Sequence, residues 1–123
     1  MSYQYQTPGY AKAPTALCEA AEKYIIEKKP ELLAICFEEP DHTGHTKGHD
    51  TPAYYQMLKE LDGYVERILQ AIKKAGIWDD TIIIMTADHG GIKTGHGGKT
   101  LREMEIPFII SGKNVRKGME IKE

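Results

Sequence analysis

A chain of 123 residues, with 16 Lys+Arg against 18 Asp+Glu and a formal net charge of −2, is one domain or part of one. The balanced charge argues against a dedicated binder of nucleic-acid polymers, which would show a basic excess. No apolar run approaches the ~20 residues that cross a bilayer, and the N-terminal MSYQYQTPGYAKAP lacks the charged-then-apolar pattern of an export signal.

Residues 1–13 are polar, with Pro8 and Gly9, and read as an irregular lead-in. From about 14 to 29, Leu17, Ala20, Ala21, Tyr24 and Ile25 recur at helical spacing, and Pro30 ends the segment. Leu32 to Phe37 is a continuous apolar run suited to a strand buried on both faces, so a strand is expected over 31–37. Residues 40–50 then read as a turn-rich loop. A second helix is expected over 52–75, opened by Thr51 as N-cap and Pro52 at the first helical position. Its stripe is Tyr54, Leu58, Leu61, Val65, Ile68, Leu69 and Ile72, and Gly76 closes it. A β-branched run predicts a strand over 81–87, a glycine-rich loop fills 88–100, and a third strand is expected over 106–111. Helices alternating with unbroken apolar strands give an α/β class with a mostly parallel sheet. Cys18 and Cys36 are too few for a disulfide scaffold and read as buried thiols.

All five histidines fall in two short glycine-rich stretches that follow strands: His42, His45 and His49, then His89 and His96. In parallel sheets, ligands bind outside the carboxyl ends of strands. Asp oxygen and His nitrogen are the usual non-sulfur ligands of zinc, and glycines let the backbone turn so that side chains converge. Manganese suits the same donor types. A local alternative is His45 and His49 as a helical zinc pair with Asp50 as third ligand; Gly44, Gly48 and the helix start at Thr51 weigh against it. Thr43 and Thr46 read as turn-forming hydroxyls rather than nucleophiles. His42 and His49 read as pocket-lining or solvated. Lys47, Lys93 and Lys99 read as surface lysines, and Tyr54, Tyr55 and Tyr64 as helix residues rather than a base-stacking platform.

The run Glu39-Pro40-Asp41-His42-Thr43-Gly44-His45, then Thr86-Ala87-Asp88-His89-Gly90, then Gly95-His96-Gly97, resembles the metal-binding signature of the alkaline phosphatase superfamily. Within it, the run resembles the type I phosphodiesterase/nucleotide pyrophosphatase branch. Glu103, Pro107 and Ser111-Gly112-Lys113-Asn114-Val115 also look like that family, and the likeness covers about residues 12 to 119.

The resemblance implies an alkaline-phosphatase-like sheet and a site of two divalent metal ions, zinc by preference. One ion would be held by Asp41, His45 and His96, the other by Asp88 and His89. The family completes the second ion with another Asp and a Thr or Ser nucleophile from earlier in the domain, and neither has a match here. The resemblance therefore implies that residues 1–123 are the C-terminal portion of a larger catalytic domain. Such an enzyme hydrolyses phosphate-ester small molecules, and this chain alone would be inactive. A phosphomutase of the same superfamily is the nearest enzymatic rival, since the short interval between Asp88 and His96 resembles the mutases. A non-catalytic metal-binding module is the rival of a different class. Family members are often periplasmic or extracellular.

Overall fold

The computed structural model describes residues 13–120. In chain order its elements are α1 (Ala13–Lys28), α2 (Glu39–Lys47), α3 (Pro52–Lys74), a short 3-10 turn (Trp78–Asp80), β1 (Ile82–Thr86), a single helical turn α4 (Leu101–Met104) and β2 (Phe108–Gly112). The lead-in expected over 1–13 lies, but for its last residue, outside the described residues.

The core is a helix pair. α1 packs on α3, bringing Ile25 against Ala71, Ile72 and Ala75, with Ile26, Ile68, Ile77 and Ile83 at the margin. Polar contacts tie the same pair. The Arg67 guanidinium forks onto the Glu22 carboxylate with N–O distances of 2.9 and 2.6 Å. The Thr15 and Tyr64 hydroxyls lie 2.7 Å apart. Cys18 is fully buried between the helices and its thiol donates to the Tyr64 carbonyl at 3.6 Å. Burial pushes that thiol above its ordinary range.

α3 starts as expected. The Thr51 hydroxyl accepts from the Tyr54 N–H at 3.2 Å and Pro52 occupies the first turn. Gly76, at φ 71°, takes the left-handed position just past the helix end.

Four expectations need correction. Residues 31–37 form no strand: Leu32 is 89% exposed and the run joins no ladder. An apolar run needs a hydrogen-bonding neighbour to become a strand, and among the described residues it has none. Residues 39–47 are helical rather than loop. Glu39 and Asp41 sit in the first turn and Lys47 in the last, where they complement the helix dipole, and Pro40 fits the first turn. The sheet has two strands and is antiparallel, with Ile82 opposite Gly112 and Thr86 opposite Phe108. A mostly parallel sheet is therefore not what these residues form among themselves. Alternation of helix and strand predicted parallel pairing, but β1 and β2 are joined by residues 87–107 with only one helical turn between them. That loop reverses the chain instead of crossing over the sheet.

Cys36 is exposed rather than buried, because it belongs to the unpaired 31–37 run. No helix among the described residues is long and apolar enough to cross a membrane.

Candidate metal centre

The first cluster converges because its stretch is a helix. Asp41 and His45 are four residues apart on α2, hence stacked on one face. The second cluster reaches them through the loop after β1. Within it Ile92 and Gly95 exchange backbone hydrogen bonds at 2.9 and 3.0 Å, which folds residues 88–98 back towards α2.

Asp41, His45 and His96 each offer one donor atom, all within 4.8 Å of one another. Asp41 Oδ1 lies 3.2 Å from His45 Nε2 and 3.2 Å from His96 Nε2. The two Nε2 atoms are 3.1 Å apart. His89 stands beside them, its ring stacked on that of His96 at 3.8 Å between centroids, with Nε2 3.9 Å from Asp41 Oδ1. Asp88 is not part of this convergence. Its side chain is 89% exposed and reaches only His89 Nε2, at 3.7 Å.

Proton accounting defines what this arrangement can hold. His45 Nδ1 lies 2.8 Å from the Thr94 carbonyl and His89 Nδ1 2.8 Å from the Gly90 carbonyl. A carbonyl only accepts, so each Nδ1 carries a proton, and in the neutral form of the ring Nε2 presents a lone pair. Those lone pairs face Asp41 Oδ1, a buried oxygen that makes no hydrogen bond of acceptable geometry despite its short distances to nitrogen. Lone pairs and a carboxylate oxygen turned towards one another repel unless a proton, such as one shared between His45 Nε2 and His96 Nε2, or a metal cation sits among them. Imidazoles whose second nitrogen is fixed by a carbonyl are the usual form of a metal-ligating histidine. The donor set fits a divalent ion of the zinc type.

Several groups near the centre were not apparent as functional from the sequence. Glu103 ties down the loop that carries His96: it accepts from the Gly98 N–H at 2.8 Å and from the Thr100 hydroxyl at 2.6 Å. The Thr100 hydroxyl, then the Gly98 N–H, hold the Glu103 carboxyl below the usual range. The Thr-x-x-Glu spacing of a helix start was the available signal. Burial first, and then the Asp41 charge, raise the Tyr54 phenol.

The alternative triad of His45, His49 and Asp50 does not form. His49 turns to the Lys93 carbonyl, 3.1 Å from its Nδ1. Asp50 accepts from the Tyr55 hydroxyl and lies 3.4 Å from Arg102 Nη1. Thr46 bonds back to the His42 carbonyl at 2.8 Å, the backbone-directed role expected of it.

A helix-borne Asp and His within the Glu-Pro-Asp-x-x-Gly-His run, facing loop-borne histidines later in the chain, define the class to which known proteins can be compared. Residues 3–106 match the family model of type I phosphodiesterase / nucleotide pyrophosphatase, and the chain belongs to that family. Among curated relatives, the human ectonucleotide pyrophosphatase/phosphodiesterase family member 5 is 32% identical over 69 residues, 55% of this chain and 14% of that protein. The Xenopus laevis bis(5'-adenosyl)-triphosphatase enpp4 is 43% identical over 60 residues, 48% of this chain and 13% of its own length. A phosphopentomutase of Alkaliphilus metalliredigens is 38% identical over 105 residues, 84% of this chain and 25% of the relative. The chain thus spans a quarter or less of each of these relatives. No solved structure matches it significantly.

Proposed function

We propose that this chain is the metal-holding, C-terminal portion of a catalytic domain that hydrolyses phosphate esters of the diester or pyrophosphate kind. The observation that carries the reading is Asp41 Oδ1, buried without a hydrogen bond and faced by the Nε2 atoms of His45 and His96. In this reading Asp41, His45 and His96 hold one zinc ion, and Asp88 with His89 contribute to a second. The bound ions supply charge stabilisation and activation of a nucleophile in an in-line phosphoryl displacement.

The chain's own residues have defined tasks. The Thr94 and Gly90 carbonyls fix the His45 and His89 tautomers, and Glu103 holds the His96 loop in place. The nucleophilic Thr or Ser, and a further Asp, come from the remainder of the domain. That remainder would also supply further strands beside β1 and β2. The relatives' names, a bis(5'-adenosyl)-triphosphatase among them, support a small phosphate ester as the substrate.

A phosphomutase is the second reading, favoured by the 84% coverage of this chain in the match to the phosphopentomutase. The test compares the 123-residue chain with the reading frame that encloses it. Zinc-loaded proteins are assayed on bis-nitrophenyl phosphate and for interconversion of pentose 1- and 5-phosphates. The hydrolase reading expects diester turnover by the longer protein and none by the chain alone. Pentose phosphate isomerisation without diester turnover would replace it with the mutase.

A further inference from the structure

His49 lies outside the ligand set, yet both ligand-bearing segments close on its ring. A Cβ added to Gly44, the residue before His45 on α2, would sit 2.2 Å from His49 Nε2. A Cβ added to Gly91, two residues after His89, would also sit 2.2 Å from that atom. Neither glycine has a positive φ, so space rather than backbone conformation is what excludes a side chain at these positions. The ring cannot easily yield. Its Nδ1–H donates to the Lys93 carbonyl at 3.1 Å, and the His49 backbone N–H donates to the same oxygen at 2.6 Å. Tyr54 closes on the ring with 5.3 Å between centroids. Lys93 in turn precedes Thr94, whose carbonyl fixes His45.

We propose that His49 is a positioning residue. Its imidazole, wedged between Gly44 and Gly91, sets the separation between the α2 ligands Asp41 and His45 and the loop ligands His89 and His96. The proposal rests on the metal-centre reading. It goes beyond it by giving the two glycines one shared function, which is to admit a flat ring where any other residue would collide with it. Removing the ring leaves a slot into which the two segments settle, and adding a methyl at either glycine pushes them apart. Both errors displace ligand atoms that must converge.

The experiment is a double-mutant cycle on the full chain: wild type, His49→Ala, Gly91→Ala and the double variant. Two readouts are taken, metal-free thermal unfolding, and cobalt(II) affinity with the visible absorption of the bound ion. Each single variant is expected to weaken cobalt binding by roughly ten- to a hundredfold, the usual cost of disturbing a ligand's support, and to change the band shape. The double variant is expected to be no worse than His49→Ala alone, because the new methyl enters the vacated slot. The same non-additivity is expected in the melting temperatures. Should His49→Ala fail to fold, His49→Asn, which vacates the slot while keeping a donor near the Lys93 carbonyl, replaces it in the cycle.

Unchanged cobalt affinity and spectrum in the His49 variant would overturn the proposal, as would strictly additive effects. If the wild type binds no cobalt, it is the metal-centre reading that fails. The metal-free melts then still decide whether the ring is a wedge, with coupling supporting it and additivity overturning it.

Discussion

The helix pair and the two-stranded sheet both carry apolar residues and leave them in opposite states. In the pair, Ile25 and Ile72 are buried against each other's helices and Arg67 is matched to Glu22. In the sheet, Ile82, Ile84, Phe108 and Ile109 are each more than half exposed. The difference teaches where stability is self-contained. An amphipathic helix needs one partner for one stripe, and α1 and α3 satisfy each other. A strand that is apolar on both faces needs cover on both sides and neighbours at both edges, and β1 and β2 have only one another. The loop that carries His89 and His96 hangs from the less satisfied region, while α2 holds Asp41 and His45 against α3.

That contrast can be broken or sharpened by measurement. The largest expected effect is in the helix pair. Ile72→Ala should cost about 2–5 kcal/mol in urea unfolding, because it leaves a cavity in the buried cluster. The matched Ile84→Ala on the exposed strand should stay within about 0.5 kcal/mol in this chain. Equal losses would show that the two regions are equally packed. Next in size, Arg67→Ala should lose about 1 kcal/mol, since the fork to Glu22 is only partly shielded from water. Glu22→Ala should lose about the same, and the double variant little more than either. A smaller effect concerns pH. The Glu103 carboxyl is held below its ordinary range when folded, so its contribution is present above that range and disappears as pH falls through the depressed value. Amide hydrogen exchange at Gly98, corrected for its intrinsic pH dependence, should therefore speed up on acidification, and should be fast at all pH values in Glu103→Ala, which removes the acceptor. Protection of Gly98 unchanged by that substitution would exclude the carboxylate as the loop's anchor.

The same contrast decides how much of the molecule was legible in the sequence. α1 and α3 were readable because a helical stripe and its caps are local signals, and Thr51, Pro52 and Gly76 act where they stand. β1 and β2 were readable as strands, although their antiparallel pairing was not, because pairing direction depends on what lies between and beside them. The composition of the 31–37 run alone suggests a strand, and composition does not supply a ladder partner. α2 is not legible in the sequence because Gly44 and Gly48 suggest a loop. Gly48 is in fact the residue that ends the helix, at φ 89°, and Gly44 is the small residue that faces His49. Missing α2 also hid the reason why Asp41 and His45 share a face. Of the five anticipated ligands, Asp41, His45 and His96 converge and His89 stacks beside them, whereas Asp88 stays in solvent. The Glu103 anchor is local, announced by its Thr-x-x-Glu spacing, whereas the His49 slot joins segments distant in sequence, which no local pattern announces.

The most direct test of the account is zinc titration by calorimetry on the 123-residue chain and three variants. The account predicts saturable binding by the wild type, lost or weakened at least tenfold in Asp41→Ala and His96→Ala. Asp88→Ala should retain the tightest site, because its carboxylate stands apart from the converging donors. Zinc binding that survives Asp41→Ala unchanged would contradict the claim that this buried, unpaired oxygen is the centre of the site.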